Sequence, residues 1–407
     1  MTEIDRRELL RRATALASGL GMGAAFAPTL AAADPAPQPA IRRMVRLGRT
    51  GLEISDVGFG TSRLAGDEAL VRRALDRGVT YFDTAEGYKG GEAERTLGRV
   101  LGTDRNRIVL ASKVQDGRSD TRDELMSHLE GSLGRLATDR IDIYFQHAVN
   151  DVRRLENDEW LEFATRAKQQ GKIRFTGLSG HGGRLVECID RALDTDHVDV
   201  VLAGYNFGQD PAFYERFTGR FDFIARQPEL PRVLARAKEK KVGVVAMKTL
   251  RGARLNDMRP YEGAGATFGQ AALRWTLASA FVDAAIITMK SLEQVDEYVG
   301  ASGWDAPHPA DAGLLTRYAR RAERSQCRYG CAECEGACPA EVEISQVLRT
   351  RMYAADYGDL EFGREGYAAL QRDAAPCLSC NGAPCATACP HGVSIPALLR
   401  SAGRMLG

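Results

Sequence analysis

Polar side chains stand at the ends of three consecutive apolar segments of this chain. Asp83 ends the segment Tyr-Phe-Asp, and Tyr88 lies on the loop that follows it. Lys113 comes at the end of Val-Leu-Ala-Ser-Lys, and His147 follows Ile-Tyr-Phe-Gln. A buried lysine needs a carboxylate partner, which Asp83 can supply. A lysine beside a tyrosine lowers the pKa of the phenol, so this group predicts proton transfer to a carbonyl oxygen that the histidine orients.

Each of these four residues has a structural interpretation when it is taken alone. A single histidine at a strand end is more often packed and hydrogen-bonded than catalytic. Four such residues on three consecutive segments favour a shared active site, because the ends of parallel strands meet at one rim.

A second group of residues that can do chemistry is the cysteines of the C-terminal tail. Eight of the nine cysteines form two runs of four, Cys-x3-Cys-x2-Cys-x3-Cys-Pro and Cys-x2-Cys-x4-Cys-x3-Cys-Pro. The predicted metal ligands are Cys327, Cys331, Cys334, Cys338, Cys377, Cys380, Cys385 and Cys389. A closing Cys-Pro is typical of bacterial ferredoxin runs, so the tail is predicted to bind two 4Fe–4S clusters.

The spacing leaves alternatives for the tail open. Two structural zinc sites would use the same thiolates. Disulfides are less favoured, because many of these cysteines lie only three or four residues apart. In two-cluster ferredoxins the fourth cysteine ligates the other cluster, so Cys338 and Cys389 are candidates for such an exchange. The ninth cysteine, Cys188, lies in a helical pattern and is predicted to be a core thiol.

The tail also contains an internal repeat. The segment that begins at Cys338-Pro aligns with the segment that begins at Cys389-Pro, and both continue through spaced apolar residues to Leu-Arg. Each Cys-Pro is therefore predicted to lead into an amphipathic helix.

The elements that must position the first group follow a strand–helix alternation. The pattern predicts strands at 57–60, 79–83, 107–112, 141–146, 173–178, 198–203, 242–247 and 284–288. It predicts helices at 67–77, 92–101, 122–136, 157–170, 228–240 and 267–280. Eight such units in about 250 residues favour an α/β fold, a (β/α)8 TIM barrel. A doubly wound open sheet is disfavoured because no strand–turn–helix carries a GxGxxG fingerprint. Residues 44–54 are predicted to form a hairpin that plugs the barrel floor.

The N-terminal residues are typical of an export signal. Arg6-Arg7 precedes an Ala/Gly-rich stretch over 13–30, and Ala31-Ala32-Ala33 offers a cleavage site. This order predicts a twin-arginine signal peptide over 1–33 and a linker over 34–43. Because that route carries folded proteins, clusters loaded in the cytoplasm would survive export, and a periplasmic location without a membrane span is expected.

The overall charge excludes some classes of partner. The formal net charge is +1, so no global basic field attracts nucleic acid or an anionic membrane. The expected partners are a small carbonyl or alcohol substrate and a redox protein.

Residues 44–305 resemble the aldo-keto reductases. The order Asp83, Tyr88, Lys113, His147 matches the tetrad of that family, and Gly-Lys-Ile-Arg-Phe-Thr-Gly-Leu-Ser and Tyr205-Asn206 also fit. The tail resembles a C-terminal extension of one branch of the family. The resemblance implies a barrel domain over 44–315 and an iron–sulfur domain over 316–407. It also implies that Tyr88 donates the proton.

The resemblance further implies a nicotinamide cofactor, NADP(H), lying across the barrel mouth. Its expected ligands are Ser179, Asn206, Lys290 and Ser291. The sequence departs from the family pattern at Gly180, at Leu202 and at Asp296, where the family carries asparagine, glutamine and arginine. A carboxylate at 296 is expected to repel a phosphate.

Three hypotheses about function, of different classes, fit the sequence. The first is an oxidoreductase that interconverts a carbonyl and an alcohol, with the clusters transferring electrons. The alternative is a non-catalytic, redox-sensing or ligand-binding barrel with structural metal sites in the tail. A third hypothesis is an electron-transfer module that turns over no carbonyl.

Overall fold

Eight parallel strands close into a barrel, preceded by a two-stranded hairpin. The computed structural model describes residues 38–182, 184–207, 229–250, 259, 262, 267–304, 309–322, 327, 333–355 and 360–407. The hairpin strands are β1 Met44–Arg46 and β2 Glu53–Ser55, and the barrel strands are β3 Val57–Gly60, β4 Tyr81–Asp83, β5 Val109–Val114, β6 Ile141–Gln146, β7 Ile173–Gly180, β8 Val200–Gly204, β9 Gly243–Met247 and β10 Ala284–Thr288. Neighbours in the chain are neighbours in the barrel, and β10 closes the ring against β3. The predicted (β/α)8 barrel is confirmed.

Helices alternate with these strands and continue into the tail. They are α1 Glu68–Asp76, α2 Glu92–Leu101, α3 Arg122–Leu136, α4 Asp158–Gln169, α5 Leu185–Thr195, α6 Leu230–Glu239, α7 Phe268–Leu277, α8 Leu292–Val299, α9 Pro309–Ala322, α10 Ile344–Ala355, α11 Leu360–Ala368 and α12 Ile395–Leu406. Helix α3 begins with a capping box, in which Thr121 and Glu124 each accept a backbone N–H of the other. Cys188 is buried in α5, as a core thiol should be.

The hairpin fills the N-terminal end of the barrel. Leu47, Leu52 and Ile54 belong to the same buried cluster as the inward-facing Tyr81 and Phe145. The turn between β1 and β2 packs against the start of β9, where a Cβ on Gly48 would lie 2.3 Å from the backbone nitrogen of Gly243. The predicted plug is therefore present, and chemistry is left to the opposite, C-terminal rim.

The tail has a hydrophobic cluster of its own, within the compact unit Pro39–Gly407. Helices α10 and α12 begin and end 51 residues apart, as the repeat predicts. Glu341 (φ 52°) and Gly392 (φ 67°) both adopt the left-handed conformation and are also 51 residues apart. The repeat in the sequence is thus a repeat in the backbone.

Several predictions fall partly outside the described residues. The signal peptide over 1–33 lies outside them, as does Cys331. The boundary predicted between 315 and 316 falls inside α9, which is joined to α7 by a buried ion pair between Asp311 and Arg274. Among the described residues, no helix has the length and apolar character needed to cross a membrane.

Candidate active site

Asp83 and Lys113 form a buried ion pair at the C-terminal rim of the barrel. They lie near the ends of the adjacent strands β4 and β5, and each is 1% exposed. The Lys113 ammonium donates hydrogen bonds to Asp83 Oδ1 and, at 2.6 Å, to the backbone oxygen of Thr84. Burial raises the pKa of the Asp83 carboxyl, and the Lys113 charge opposes that rise. The predicted carboxylate partner of the lysine is in contact with it.

Tyr88 and His147 complete the group above this pair. Tyr88 begins a short turn, Tyr88–Gly91, and the Lys113 nitrogen lies 5.2 Å from the centroid of its ring. The rings of Tyr88 and His147 meet edge to face, with centroids 5.5 Å apart and planes at 80°. The structure therefore brings all four predicted catalytic residues to one place.

Lys113 acts on the pKa of Tyr88 in the predicted direction, but burial has the larger and opposite effect. Burial raises the pKa of the phenol, and the nearby Lys113 charge offsets only part of that rise. The reason is the depth of the site, because removing a phenolate from water costs more than one ammonium restores. Tyr88 is therefore a protonated phenol at neutral pH, as a proton donor must be.

His147 is neutral at physiological pH. Burial lowers the pKa of its imidazole to about 3, and the charges of Lys113, His181, Arg154 and Lys248 add to the effect. A neutral ring can donate one hydrogen bond without bringing a second positive charge to the rim.

Two of the predicted cofactor ligands lie at this rim on β7 and just after β8. Ser179 is fully buried; its hydroxyl accepts the backbone N–H of Ala148 at 3.1 Å and donates to Gln146 O at 3.3 Å. One lone pair of that hydroxyl remains, which suits the N–H of a carboxamide. Asn206 is 1% exposed and donates through Nδ2 to the backbone oxygen of Lys248. Leu202, where the family carries glutamine, is buried inside the barrel.

The other two predicted ligands lie where β10 leads into α8. Ser291 is the N-cap of α8 and its hydroxyl accepts the backbone N–H of Gln294, while the N–H of Lys290 binds the Gln294 side chain. A helix start of this kind attracts anions.

Asp296, the residue expected to repel a phosphate here, is itself ion-paired. Arg77 binds both carboxylate oxygens, at 2.6 and 3.2 Å, and Arg73 binds Oδ2 at 3.2 Å. These arginines hold the pKa of the Asp296 carboxyl below its usual value. The Asp296 carboxylate is therefore paired with two guanidinium groups, and Asp76 and Glu293 lie within electrostatic range of the same arginines. Because Arg73 lies in α1 and Arg77 directly follows it, the sequence around residue 296 gave no sign of them.

The tail brings cysteines of the two runs together. Cys334, Cys377 and Cys385 are buried in the tail core. Burial and the neighbouring thiols of Cys338, Cys385 and Cys380 raise the pKa of Cys377 to about 11. Cys338 of the first run therefore lies near cysteines of the second run.

Thiol chemistry fits an iron–sulfur cluster, but the described geometry is not that of a metal ion site. Five of the described tail cysteines are free thiols: Cys338, Cys377, Cys380, Cys385 and Cys389. Within the part of the chain that the structure describes, no three His, Cys, Asp or Glu side chains are close enough to hold one ion. A four-iron cluster separates its thiolates more widely than a single ion does.

The sequence reasoning missed two charged features of the rim. Lys248 follows β9, and its charge helps to lower the pKa values of His147 and His181. It could have been found as Lys113 was, as a lysine directly after an apolar strand. The second feature is a buried ion pair between Asp116 and Arg154. Its arginine lies in a short 3-10 helix, Val152–Glu156, where nothing in the sequence indicates burial.

This chain matches a protein-family model and the sequences of known proteins. A model of the aldo/keto reductase family matches residues 56–259, half of the chain. An uncharacterized oxidoreductase, YrpG of Bacillus subtilis, is 28% identical over 309 residues, covering 63% of this chain and 89% of the relative. The L-galactose dehydrogenase of Arabidopsis thaliana is 27% identical over 292 residues, covering 63% and 86%.

Solved structures show the same fold. An aldo-keto reductase of Bacillus halodurans in its holo form has a TM-score of 0.54 at 23% identity, covering 71% of this chain and 98% of its own. An aldo-keto reductase of Klebsiella pneumoniae, solved in complex with NADPH, has a TM-score of 0.54 at 24% identity, covering 68% and 95%. At these identities the likeness supports the barrel architecture and no finer property.

Proposed function

This chain belongs to the aldo/keto reductase family and is an oxidoreductase, and we propose that it interconverts a carbonyl and an alcohol with NADP(H). The observation that carries the proposal is the convergence of Tyr88 and His147 on the buried Asp83–Lys113 pair. A non-catalytic barrel has no need of a desolvated lysine beside a protonated phenol.

The residues at the rim supply the proton and the orientation. In the reductive direction the Tyr88 hydroxyl gives its proton to the carbonyl oxygen, and a proton from solvent later restores the phenol. Lys113 stabilises the phenolate in the interval, because its charge lies next to the ring in a site of low polarity. Asp83 holds Lys113 in place, and the neutral His147 donates a hydrogen bond to the same carbonyl oxygen.

The rim also has the groups that a nicotinamide dinucleotide needs. When bound, the cofactor supplies a hydride to the carbonyl carbon. Ser179 and Asn206 would hold its carboxamide, and Lys290, Ser291 and the start of α8 would hold its phosphate. Asp296 near that helix is paired with Arg73 and Arg77, so its carboxylate does not face the phosphate as an unpaired charge.

The proposal is tested by removing one hydroxyl. We expect Tyr88→Phe to lower kcat for the reduction of 4-nitrobenzaldehyde by NADPH about 10²- to 10⁴-fold, the usual contribution of a general acid. Tyr144→Phe is the matched control, because that phenol is buried against Trp160 on the outer side of β6. A Tyr88→Phe enzyme that is folded and as fast as the wild type would remove Tyr88 from the mechanism.

We propose further that the tail binds two 4Fe–4S clusters and exchanges electrons with a redox protein. One cluster would take Cys338, Cys377, Cys380 and Cys385, and the other would take Cys327, Cys331, Cys334 and Cys389. The neighbourhood of Cys338 supports this assignment. About eight irons and eight sulfides per chain are expected in anaerobically purified protein. Two zincs without sulfide would make the tail a structural clamp instead.

Export through the twin-arginine route is a separate proposal. It stands on the Arg6-Arg7 pair, the apolar stretch and the alanine cleavage site. We expect the processed chain in the periplasm, and the unprocessed chain in the cytoplasm when Arg6 and Arg7 are both changed to lysine. Equal processing of the two forms would contradict the proposal.

A further inference from the structure

The backbone directly after His147 is in an unfavourable conformation. Ala148 has a φ of 52°, in the left-handed region that residues with a Cβ rarely adopt. Such a conformation persists only where the surroundings fix it. Because His147 precedes Ala148, whatever fixes this turn also fixes the position of the imidazole at the rim.

One side of the turn is held by β7. The Ser179 hydroxyl binds Ala148 N and Gln146 O on either side of His147, as described above. The next residue, Val149, donates its N–H to the backbone oxygen of Ser179 at 2.7 Å.

The other side is held by a buried arginine. The Arg154 guanidinium donates to the backbone oxygens of His147, at 3.0 Å, and Ala148, at 3.3 Å. The same guanidinium binds Asp116 Oδ1 at 2.5 Å, and Gln146 Nε2 donates to Asp116 Oδ2 at 2.8 Å. Arg154 is 8% exposed and Asp116 is 5% exposed.

We propose that Arg154, oriented by Asp116, is a positioning residue that holds His147 in place for the reaction. The inference rests on the proposed carbonyl chemistry, in which His147 orients the substrate. Arg154 touches neither substrate nor cofactor; it acts by fixing two consecutive carbonyl oxygens. Only a guanidinium can reach both of them and the carboxylate at once, because its donors are arranged in a planar fork.

Strand β6, which ends just before His147, has another buried arginine–aspartate pair near its start. That pair provides a control for Arg154 and Asp116. Arg105 binds Asp142 at 2.9 Å near the start of β6, and the two side chains are 10% and 2% exposed. Arg105 also donates to the backbone oxygen of Arg140, at 2.8 Å, so it too combines a carboxylate with a carbonyl. This pair lies at the floor of the barrel, away from His147. The two arginines are alike in burial and in the kinds of group that they bind, and they lie at opposite ends of the barrel. They differ in that Asp142 also pairs with Arg174, at 3.0 Å.

The experiment compares Arg154→Gln with Arg105→Gln in the full chain. Arg154→Gln removes the cation paired with Asp116, whereas Asp142 keeps Arg174 at 3.0 Å when Arg105 is replaced. Both substitutions are expected to lower the melting temperature, and Arg154→Gln is expected to lower it more. Only Arg154→Gln is expected to lower kcat for 4-nitrobenzaldehyde with NADPH, by about 10- to 100-fold, the usual effect of a misplaced group. Its KM for NADPH is expected to stay within about twofold. Arg105→Gln is expected to keep kcat within about twofold. Equal kcat values for the two variants would overturn the positioning role.

A second readout does not depend on turnover. In protein labelled at its six histidines, the His147 ring resonances, assigned with His147→Asn, are expected to shift or broaden in Arg154→Gln and to stay in place in Arg105→Gln. Unchanged resonances in both variants would overturn the proposal. If the wild type reduces no carbonyl while the resonance still moves, the proposed function fails and the positioning of His147 stands.

Discussion

The barrel and the tail present their reactive groups in different ways. In the barrel, opposite charges lie together, since Lys113 and Asp83 are buried as a pair and Tyr88 and His147 are neutral around them. In the tail, like groups lie together, since the thiols of Cys338, Cys380 and Cys385 surround that of Cys377 and raise its pKa. The barrel site balances its buried charges with its own side chains. The tail site, as proposed, is completed by iron. The stability of the barrel site should therefore depend on its paired charges, and the stability of the tail should depend on bound iron.

The largest expected effect comes from breaking the pair in the barrel. Lys113→Met leaves the buried Asp83 carboxylate without its partner, and we expect a loss of about 3–5 kcal/mol in the free energy of unfolding. The double variant Lys113→Met/Asp83→Asn removes both charges and is expected to recover a large part of that loss. Urea unfolding of the two variants measures the difference. Equal destabilisation in both would mean that packing, rather than charge compensation, stabilises the site.

Removing iron should unfold the tail and leave the activity of the barrel unchanged. At such sites the free energy of metal binding contributes to the free energy of folding. We therefore expect anaerobic iron chelation to abolish the thermal transition of the tail. The carbonyl reductase kcat of the same sample is expected to stay within about twofold. Calorimetry and steady-state kinetics provide the two readings. Loss of kcat in parallel with iron would show that the barrel depends on the clusters.

The smallest expected effect is on the pH dependence of the barrel. The pKa of His147 is lowered to about 3 and that of Tyr88 is raised above its usual value, so neither group changes charge near neutrality. We expect kcat for reduction to vary less than about twofold between about pH 5 and pH 9. Alcohol oxidation requires the Tyr88 phenolate as proton acceptor, and its rate is expected to rise with pH. A break in the reduction profile at about pH 6–7 would indicate a histidine that titrates normally.

The elements of the barrel were predictable because strand and helix periodicities are local. The strands at 57–60, 141–146 and 284–288 have the predicted ends, and β7 runs only two residues further, to Gly180. The juxtaposition of Asp83 and Lys113 also followed from the sequence, since adjacent parallel strands end at one rim.

The features that the sequence could not show depend on how deeply a side chain is buried and on contacts with residues far away in the chain. The sign of the Tyr88 pKa shift depends on how far the phenol is buried, which no spacing reveals. The neutralisation of Asp296 comes from Arg73 and Arg77, more than two hundred residues earlier in the chain. The role of Arg154 depends on a backbone conformation at Ala148.

The central claim is that the barrel itself transfers a hydride to the carbonyl carbon and a proton from Tyr88 to the oxygen. The most direct test is the reduction of 4-nitrobenzaldehyde by NADPH that carries deuterium at the transferred position, with mass spectrometry of the alcohol. We predict one deuterium on the carbinol carbon for each NADPH oxidised, with or without iron in the tail. An alcohol whose carbinol hydrogen comes from solvent would show that electrons pass through the clusters and would contradict the account.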